Sequence, residues 1–204
     1  MNLQELKTIS DQVVNQPWGV GDGYLQANSE SWAPYLRFLH AVMRQYSINV
    51  ALELGVYMGT ATAHMSLGNP DATIIGVDRE YHPNAFGVIR MYGNIIYLQG
   101  NTTSENVLIS VDVLCQKFGK IGLMFIDSTH DGVTPKSEYE AYEHLFDDVC
   151  LVCCDDLIGP SHLHASMQEF WDWLPGDKLK LHHLHPRLND SYDEPGFGVS
   201  IVRK

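Results

Sequence analysis

Three residues, Gly55, Gly59 and Asp78, have types and spacing that suit a ribose-bearing cofactor. Gly55 and Gly59 leave the turn after a short apolar run without Cβ atoms, so the backbone can approach a ligand closely. Asp78 ends the next apolar run, where a carboxylate can accept hydrogen bonds from both ribose hydroxyls. The pattern therefore predicts a strand, a tight turn, a helix and a second strand that together bind a ribose.

The composition of this turn narrows the choice of cofactor. Dinucleotide sites use G-x-G-x-x-G to bring a pyrophosphate onto a helix N-terminus, whereas this turn has only two glycines with bulkier residues between them. Glu53 lies beside the turn, where an acid repels pyrophosphate but attracts a sulfonium or an ammonium group. S-adenosylmethionine carries both groups, so we interpret the turn as its site. An ordinary turn of another α/β protein is the alternative.

A second group of candidate residues consists of acids that follow neighbouring strands of the predicted sheet. Asp127 ends one apolar run, and Asp155 and Asp156 end the next. Carboxylates gathered there repel one another unless a cation neutralises them, and oxygen ligands suit Mg²⁺ or another divalent cation. We predict a metal site at these three residues. The alternative is that Asp127 only contacts the cofactor and the pair caps the next helix.

Histidines and cysteines supply further candidates. His130 follows Asp127 by three residues and could accept the proton of a substrate hydroxyl, although an exposed loop histidine is the alternative. His183 and His185 are predicted to share one face of the sixth strand, with a solvated or substrate-lining role. Cys150 and Cys153 differ by three positions on a strand, so they point to opposite faces and are predicted to be buried reduced thiols.

The elements that must position these residues alternate along the chain. An amphipathic helix is predicted over 31–46, and the helix over 134–146 is expected to have Thr134 as its N-cap and Pro135 at its first position. Alternation of this kind demands a parallel sheet with helices on both faces, and the last two strands, joined without a helix, should pair antiparallel. The predicted strands are 50–54, 72–77, 94–98, 121–126, 149–154, 178–185 and 197–202, and the other predicted helices are 60–67, 104–118 and 161–174, the last capped by Ser161.

Two strings resemble a known family. The string E-L-G-x-x-x-G-T at 53–60 resembles motif I of class I S-adenosylmethionine-dependent methyltransferases. The stretch FIDSTHDGVTPKSEYEAYEHL at 125–145 is similar to metal-dependent O-methyltransferases of the catechol and caffeoyl-CoA type. It is more similar to the small-molecule group that includes macrolide-sugar O-methyltransferases and cephalosporin hydroxylase-like proteins. The resemblance covers 31–204.

This resemblance implies an α/β fold with a Rossmann-like, doubly wound, mostly parallel seven-stranded sheet whose antiparallel C-terminal strand lies beside the sixth. It implies O-methylation of a small-molecule hydroxyl with a divalent metal, for which His130 and Asp127 are the catalytic candidates. An NAD-dependent oxidoreductase and a non-catalytic cofactor-binding protein of the same fold are the alternatives. The residues expected to bind the cofactor are Glu53, Gly55, Tyr57, Gly59, Thr60, Asp78, Asn101, Thr102, Thr103 and Asp127.

Length and charge bound the other expectations. The 204 residues suit one methyltransferase domain over 31–204, preceded by a segment at 1–30 that could act as a lid. A formal net charge of -12 opposes the binding of nucleic acid, and the apolar runs are too short for a membrane span. We therefore expect a cytoplasmic protein with a small-molecule acceptor, no nucleic-acid or membrane partner, and a possible homo-oligomer.

Overall fold

The computed structural model describes residues 1–15, 34–129, 131–157, 164–184 and 196–204, which form a seven-stranded sheet flanked by helices. The strands are β1 Val50–Leu54, β2 Thr73–Asp78, β3 Ile95–Gln99, β4 Ile121–Ile126, β5 Phe146–Cys154, β6 Asp177–Lys180 and β7 Gly198–Arg203. The helices are α1 Leu3–Asn15, α2 Pro34–Tyr46, α3 Thr60–Gly68, α4 Pro83–Met91, α5 Glu105–Phe118, α6 Val133–Tyr142 and α7 His164–Trp173, with 3₁₀ turns at Glu143–Leu145 and His182–Leu184.

The order of the strands in the sheet is β3-β2-β1-β4-β5-β7-β6. Neighbouring strands from β3 to β5 are parallel, whereas β7 is antiparallel to both β5 and β6. The predicted fold class is therefore confirmed, including the insertion of the last strand between two strands that run the other way.

Apolar residues on both faces of the sheet bury it between two layers of helices. Strand β1 is buried at every position, which is typical of a central parallel strand. One core cluster joins a face of the sheet to α1, α2 and α3, and the other joins the opposite face to α5, α6 and α7. Cys153 belongs to the first cluster and Cys150 to the second, and both are buried free thiols, as predicted.

The sixth strand is shorter than predicted. It ends at Lys180, and His182–Leu184 form a 3₁₀ turn in which the amide of Leu184 donates to the carbonyl of Leu181. Leu181 and Leu184 are both buried, a spacing of three that a helical turn satisfies and a strand does not. The predicted strand face shared by His183 and His185 is therefore wrong for His183, whose Nε2 lies 3.1 Å from the Ser10 hydroxyl. His185 lies outside the described residues.

The cap of α6 also differs from the prediction. Gly132, and not Thr134, is the N-cap residue, and Asp131 before it supplies the capping carboxylate, which accepts the backbone amides of Val133 and Thr134 at 3.0 and 2.7 Å. A carboxylate is a stronger acceptor than a hydroxyl, and Thr134 itself donates its hydroxyl to Asp131. The helix ends at Tyr142, so the 3₁₀ turn Glu143–Leu145 and the first residue of β5, Phe146, occupy the predicted last turn. Ser161, the predicted cap of α7, lies outside the described residues.

Two helices have no counterpart in the sequence predictions. Helix α4 lies between β2 and β3, and α1 buries Leu6, Ile9 and Val13 in the first core cluster. Residues 16–33, the remainder of the predicted N-terminal segment and the start of the next domain, lie outside the described residues. Among the helices that the structure describes, none combines the length and the apolar character that a membrane crossing requires.

The buried imidazole of His64 in α3 generates a prediction about stability. Its Nδ1 lies 2.8 Å from the carbonyl oxygen of Thr60, and burial lowers its pKa from 6.5 to about 4. The unfolded chain then binds more protons between these two values, so stability is lost as the pH falls below 6.5. We expect urea denaturation to show that the free energy of unfolding of the parent falls, relative to that of His64→Gln, by roughly 2–3 kcal/mol between pH 7.5 and 4.5.

The exposed His144 offers a matched control, since His144→Gln should retain the full pH dependence of the parent chain. Equal acid sensitivity in His64→Gln and in the parent would contradict this assignment.

Candidate functional site

The carboxyl ends of β1 to β5 are joined directly by backbone hydrogen bonds. In each pair, the amide of the residue that follows one strand donates to the carbonyl at the end of its neighbour. These pairs are Gly55 to Val77 at 2.9 Å, Gly100 to Asp78 at 2.9 Å, Asp127 to Leu54 at 2.8 Å and Asp155 to Ile126 at 3.1 Å. The loops that carry the predicted site residues therefore start side by side at one edge of the sheet, where ligands of open α/β sheets bind.

Gly55 is required at the first of these ends by its neighbours and by its backbone. Its φ is +92°, and a Cβ atom there would lie 2.2 Å from the carbonyl oxygen of Asp127. Gly59, with φ of +80°, begins the turn into α3. A side chain at position 55 would therefore first meet the backbone of Asp127 and Ser128, and not a ligand in the cavity.

Asp78 is held in place by the turn opposite. Its Oδ2 accepts the amide of Tyr57 at 2.8 Å, and its Oδ1 accepts the amide of Glu80 at 2.9 Å. Tyr57 has φ of +46°, so this residue adopts a left-handed conformation while donating its amide. Each carboxylate oxygen has two lone pairs and keeps capacity for a second donor, such as a ribose hydroxyl.

Glu53 lies beneath the turn and does not line the cavity. The residue is 1% exposed, and its Oε2 accepts the hydroxyl of Thr62. Burial raises the pKa of Glu53 well above its usual value, and the negative charges of Asp127 and Asp78 raise it further. Because burial disfavours the charged form of Glu53 and this residue is not part of the cavity lining, attraction of a cation must come mainly from other acids.

The loop after β3 presents Asn101 and Thr102 to the same space. The side chain of Asn101 accepts the amide and the hydroxyl of Thr103, which shapes the loop before α5. The hydroxyl of Thr102 donates to Glu138 at 2.6 Å, and Tyr142 donates its phenol to the carbonyl of Thr102. The loop is thus attached to α6.

Glu138 is a residue of this site whose role sequence reasoning missed. It is fully buried, and it accepts the hydroxyls of Thr102 and Ser128 at 2.6 and 2.8 Å. Burial raises its pKa to about 7, against the lowering effect of the two hydrogen bonds, and the charge of Asp131 adds to the rise. The sequence signal was a lone acid on the core-facing side of a predicted helix.

These groups surround a cavity of about 670 Å³ at the strand ends. Of the predicted cofactor residues, Gly55, Tyr57, Asp78, Asn101, Thr102 and Asp127 line it, and Glu53, Gly59, Thr60 and Thr103 do not. His130, the predicted base, lies outside the described residues. The remaining lining residues are Arg79, Glu80, Tyr81, His82, Pro83, Ser128, Thr129, Asp131, Thr134 and Glu138.

The cavity wall is predominantly acidic and carries aromatic rings at one side. The ring of Tyr57 lies 4.9 Å from that of His82, and Tyr81 packs edge-on against Tyr97 at 5.4 Å. A wall of this charge favours a cationic ligand over one that bears phosphates. The acidic members of the lining are Asp78, Glu80, Asp127, Asp131 and Glu138.

The three predicted metal ligands do not share one position. Asp127 lines the cavity, whereas Asp155, which is buried, and Asp156, which has φ of +48°, are not part of its lining. Across the described part of the chain, no three histidine, cysteine or acidic side chains form a group that could hold a metal ion. The residues described here do not fit the predicted three-carboxylate site.

Comparison with known proteins places the chain by its fold. No protein-family model matches it, and no curated protein matches it. Among solved structures, the O-methyltransferase TomG from Streptomyces achromogenes, involved in tomaymycin synthesis and bound to SAM, aligns over 100% of both chains with a TM-score of 0.71 and 13% identity.

Two further solved structures give the same picture. The O-methyltransferase from Bacillus cereus in complex with SAH aligns over 98% of this chain and 90% of its own, with a TM-score of 0.64 and 14% identity. The SAH-bound methyltransferase PaMTH1 from Podospora anserina aligns over 100% of this chain and 97% of its own, with a TM-score of 0.60 and 16% identity. The chain therefore has the Rossmann-like fold of S-adenosylmethionine-dependent O-methyltransferases.

The close contacts around Gly55 predict that even its replacement by alanine destabilises the fold strongly. Gly55→Ala should lower the free energy of unfolding by about 3 kcal/mol, because the positive φ and the contact with Asp127 both oppose a Cβ atom. Gly87→Ala is the matched control, since nothing lies within 4 Å of its Cβ position in α4, and it should stabilise by about 0.5–1 kcal/mol. Denaturant titration of both variants measures the difference, and a Gly55→Ala variant as stable as the parent would refute the crowding.

Proposed function

We propose that this chain is an S-adenosylmethionine-dependent methyltransferase that methylates a hydroxyl of a small molecule. One observation carries the proposal: an acidic cavity lies at the strand ends, with Asp78 held by the turn that contains Gly55. The fold that the chain shares with TomG over its whole length supports the same conclusion.

The cofactor would occupy the cavity with its ribose hydroxyls on Asp78. Its adenine would then face the loop with Asn101 and Thr102, and its methionine part would lie toward the Gly55 turn and Asp127. The sulfonium and the ammonium group offset the negative charge of the wall, which a pyrophosphate would increase. This is the reason for preferring S-adenosylmethionine over NAD.

Methyl transfer requires an in-line approach of the acceptor to the methyl carbon. The hydroxyl oxygen forms a bond to that carbon while the carbon–sulfur bond breaks and its electron pair moves to sulfur. The hydroxyl proton must leave, and we propose His130 as its acceptor, with Asp127, three residues earlier in the chain, orienting the reacting groups. The main tasks of the protein are alignment and exclusion of water.

The acceptor that suits this proposal is a small neutral or cationic molecule. The charge of -12 and the acidic wall both oppose phosphate-bearing acceptors and nucleic acid. We propose no membrane partner.

Binding of S-adenosylhomocysteine tests the proposal directly. It should raise the melting temperature of the protein, whereas NAD should not. Asp78→Asn should weaken the affinity about 10- to 100-fold in calorimetry, because it removes the charge behind the ribose hydrogen bonds. Asp71→Asn, at the opposite end of β2 and exposed, should bind like the parent. Stabilisation by NAD alone would favour the oxidoreductase alternative, and stabilisation by neither would remove the cofactor assignment.

Dependence on a divalent cation is a separate part of the proposal, supported by the order of Asp127, Asp155 and Asp156 along the chain and by the resemblance of 125–145 to metal-dependent O-methyltransferases. We expect EDTA to leave the affinity for S-adenosylhomocysteine unchanged, because the proposed cofactor contacts do not involve a metal. A cation that orients the acceptor would make methyl transfer disappear in EDTA and return with Mg²⁺, and Asp155→Asn would reproduce that loss. Undiminished transfer in EDTA would remove the metal and leave His130 as the base.

A further inference from the structure

Glu138 forms hydrogen bonds to two loops that follow non-neighbouring strands of the sheet. Thr102 belongs to the loop after β3, and Ser128 belongs to the loop after β4. Both residues line the cavity, and both donate their hydroxyls to the two oxygens of this one carboxylate, at 2.6 and 2.8 Å. The strands that precede the two loops are not neighbours, since β2 and β1 lie between them.

The carboxylate is itself held rigidly. Glu138 lies on α6, is 0% exposed, and is followed one turn later by Tyr142, whose phenol donates to the Thr102 carbonyl. Helix α6 thus binds the side chain and the backbone of Thr102 at the same time. A movement of Glu138 would be transmitted to the wall of the cavity on both sides.

An uncharged side chain could hydrogen-bond to two hydroxyls with a smaller desolvation penalty than a buried carboxylate, because burying a charge opposes folding. The chain nevertheless has a carboxyl group at this position, and burial raises its pKa to about 7. The titratable groups around it are Asp131 from the preceding loop, Tyr142 from α6 and Cys154 from β5. The hydrogen bonds of Asp131 lower its pKa, and burial raises the pKa of Tyr142 and of Cys154, so these groups do not titrate near neutrality.

We propose that Glu138 is a positioning residue of the cofactor site, which in its ionised form holds Thr102 and Ser128 so that their loops present the adenosine-binding wall. This inference rests on the proposed function. An ionised carboxylate accepts both hydroxyls, whereas a protonated one must turn one hydroxyl around or lose one hydrogen bond. Cofactor affinity is therefore coupled to the ionisation of a residue that does not contact the reacting atoms.

Calorimetric titration with S-adenosylhomocysteine between pH 6 and 8 tests the inference. The affinity of the parent should fall roughly tenfold as the pH decreases across this range, which corresponds to the loss of one charge-assisted hydrogen bond. Glu138→Gln should bind at pH 8 as weakly as the parent does at pH 6, and its affinity should not depend on pH. The melting temperature of Glu138→Gln at pH 8 should equal or exceed that of the parent, because the substitution removes a buried charge. If Glu138 served only to stabilise the fold, the melting temperature of this variant would instead be lower than that of the parent.

Three further variants isolate the effect. Thr102→Val and Ser128→Ala each remove one donor and should each weaken binding at pH 8, and they carry the test if Glu138→Gln does not fold. His144→Gln changes an exposed histidine outside the cavity lining and should keep the parent's pH dependence of binding.

The outcomes distinguish this inference from the proposed function. If the parent does not bind S-adenosylhomocysteine, the proposed function itself fails. If the parent binds, Asp78→Asn loses affinity, and Glu138→Gln keeps both the affinity and the pH profile of the parent, then the role of Glu138 alone is overturned. Unchanged affinity in both Thr102→Val and Ser128→Ala would overturn it equally.

Discussion

Contact between the turn at Gly55 and the backbone of Asp127 and Ser128 determines how the strand ends can be arranged. Because no side chain separates them, the loops after β1 and β4 meet, and both line the cavity together with the loops after β2 and β3. The amide of Tyr57 can then reach Asp78, which fixes the acid that faces the cavity. A bulkier residue at position 55 would separate the two loops and alter each of these distances.

The second constraint is electrostatic. Acidic side chains converge on one cavity, where they repel one another, and burial together with the charges of Asp127 and Asp78 raises the pKa of the nearby Glu53. A ligand with positive charge would relieve this repulsion, which gives the site a preference that does not depend on any single hydrogen bond. Among the described residues of the lining, Arg79 carries the positive charge, and it follows Asp78 directly.

The strands were predictable from sequence because each central strand is an apolar run bounded by polar residues, and β4 begins and ends where its run does. The end of β6 could not be predicted from sequence, because Leu181 and Leu184 continue the apolar pattern of the strand although the chain there folds as a 3₁₀ turn. Helix α4 contains a proline and a glycine and escaped the periodicity argument. Asp78 could be identified locally, whereas the role of Glu138 depends on partners up to 36 residues away, which spacing alone does not reveal.

The insertion of β7 between β5 and β6 has a consequence for how the chain folds during synthesis. Strand β6 is made before β7 but has no hydrogen-bonding partner in the sheet other than β7 among the described strands. The ribosome must therefore release Gly198–Arg203 before β6 can join the sheet, and until then β5 has an unpaired edge. A nascent chain that stalls before residue 198 would expose that edge to neighbouring polypeptides, so β7 also protects the protein against association through its sheet.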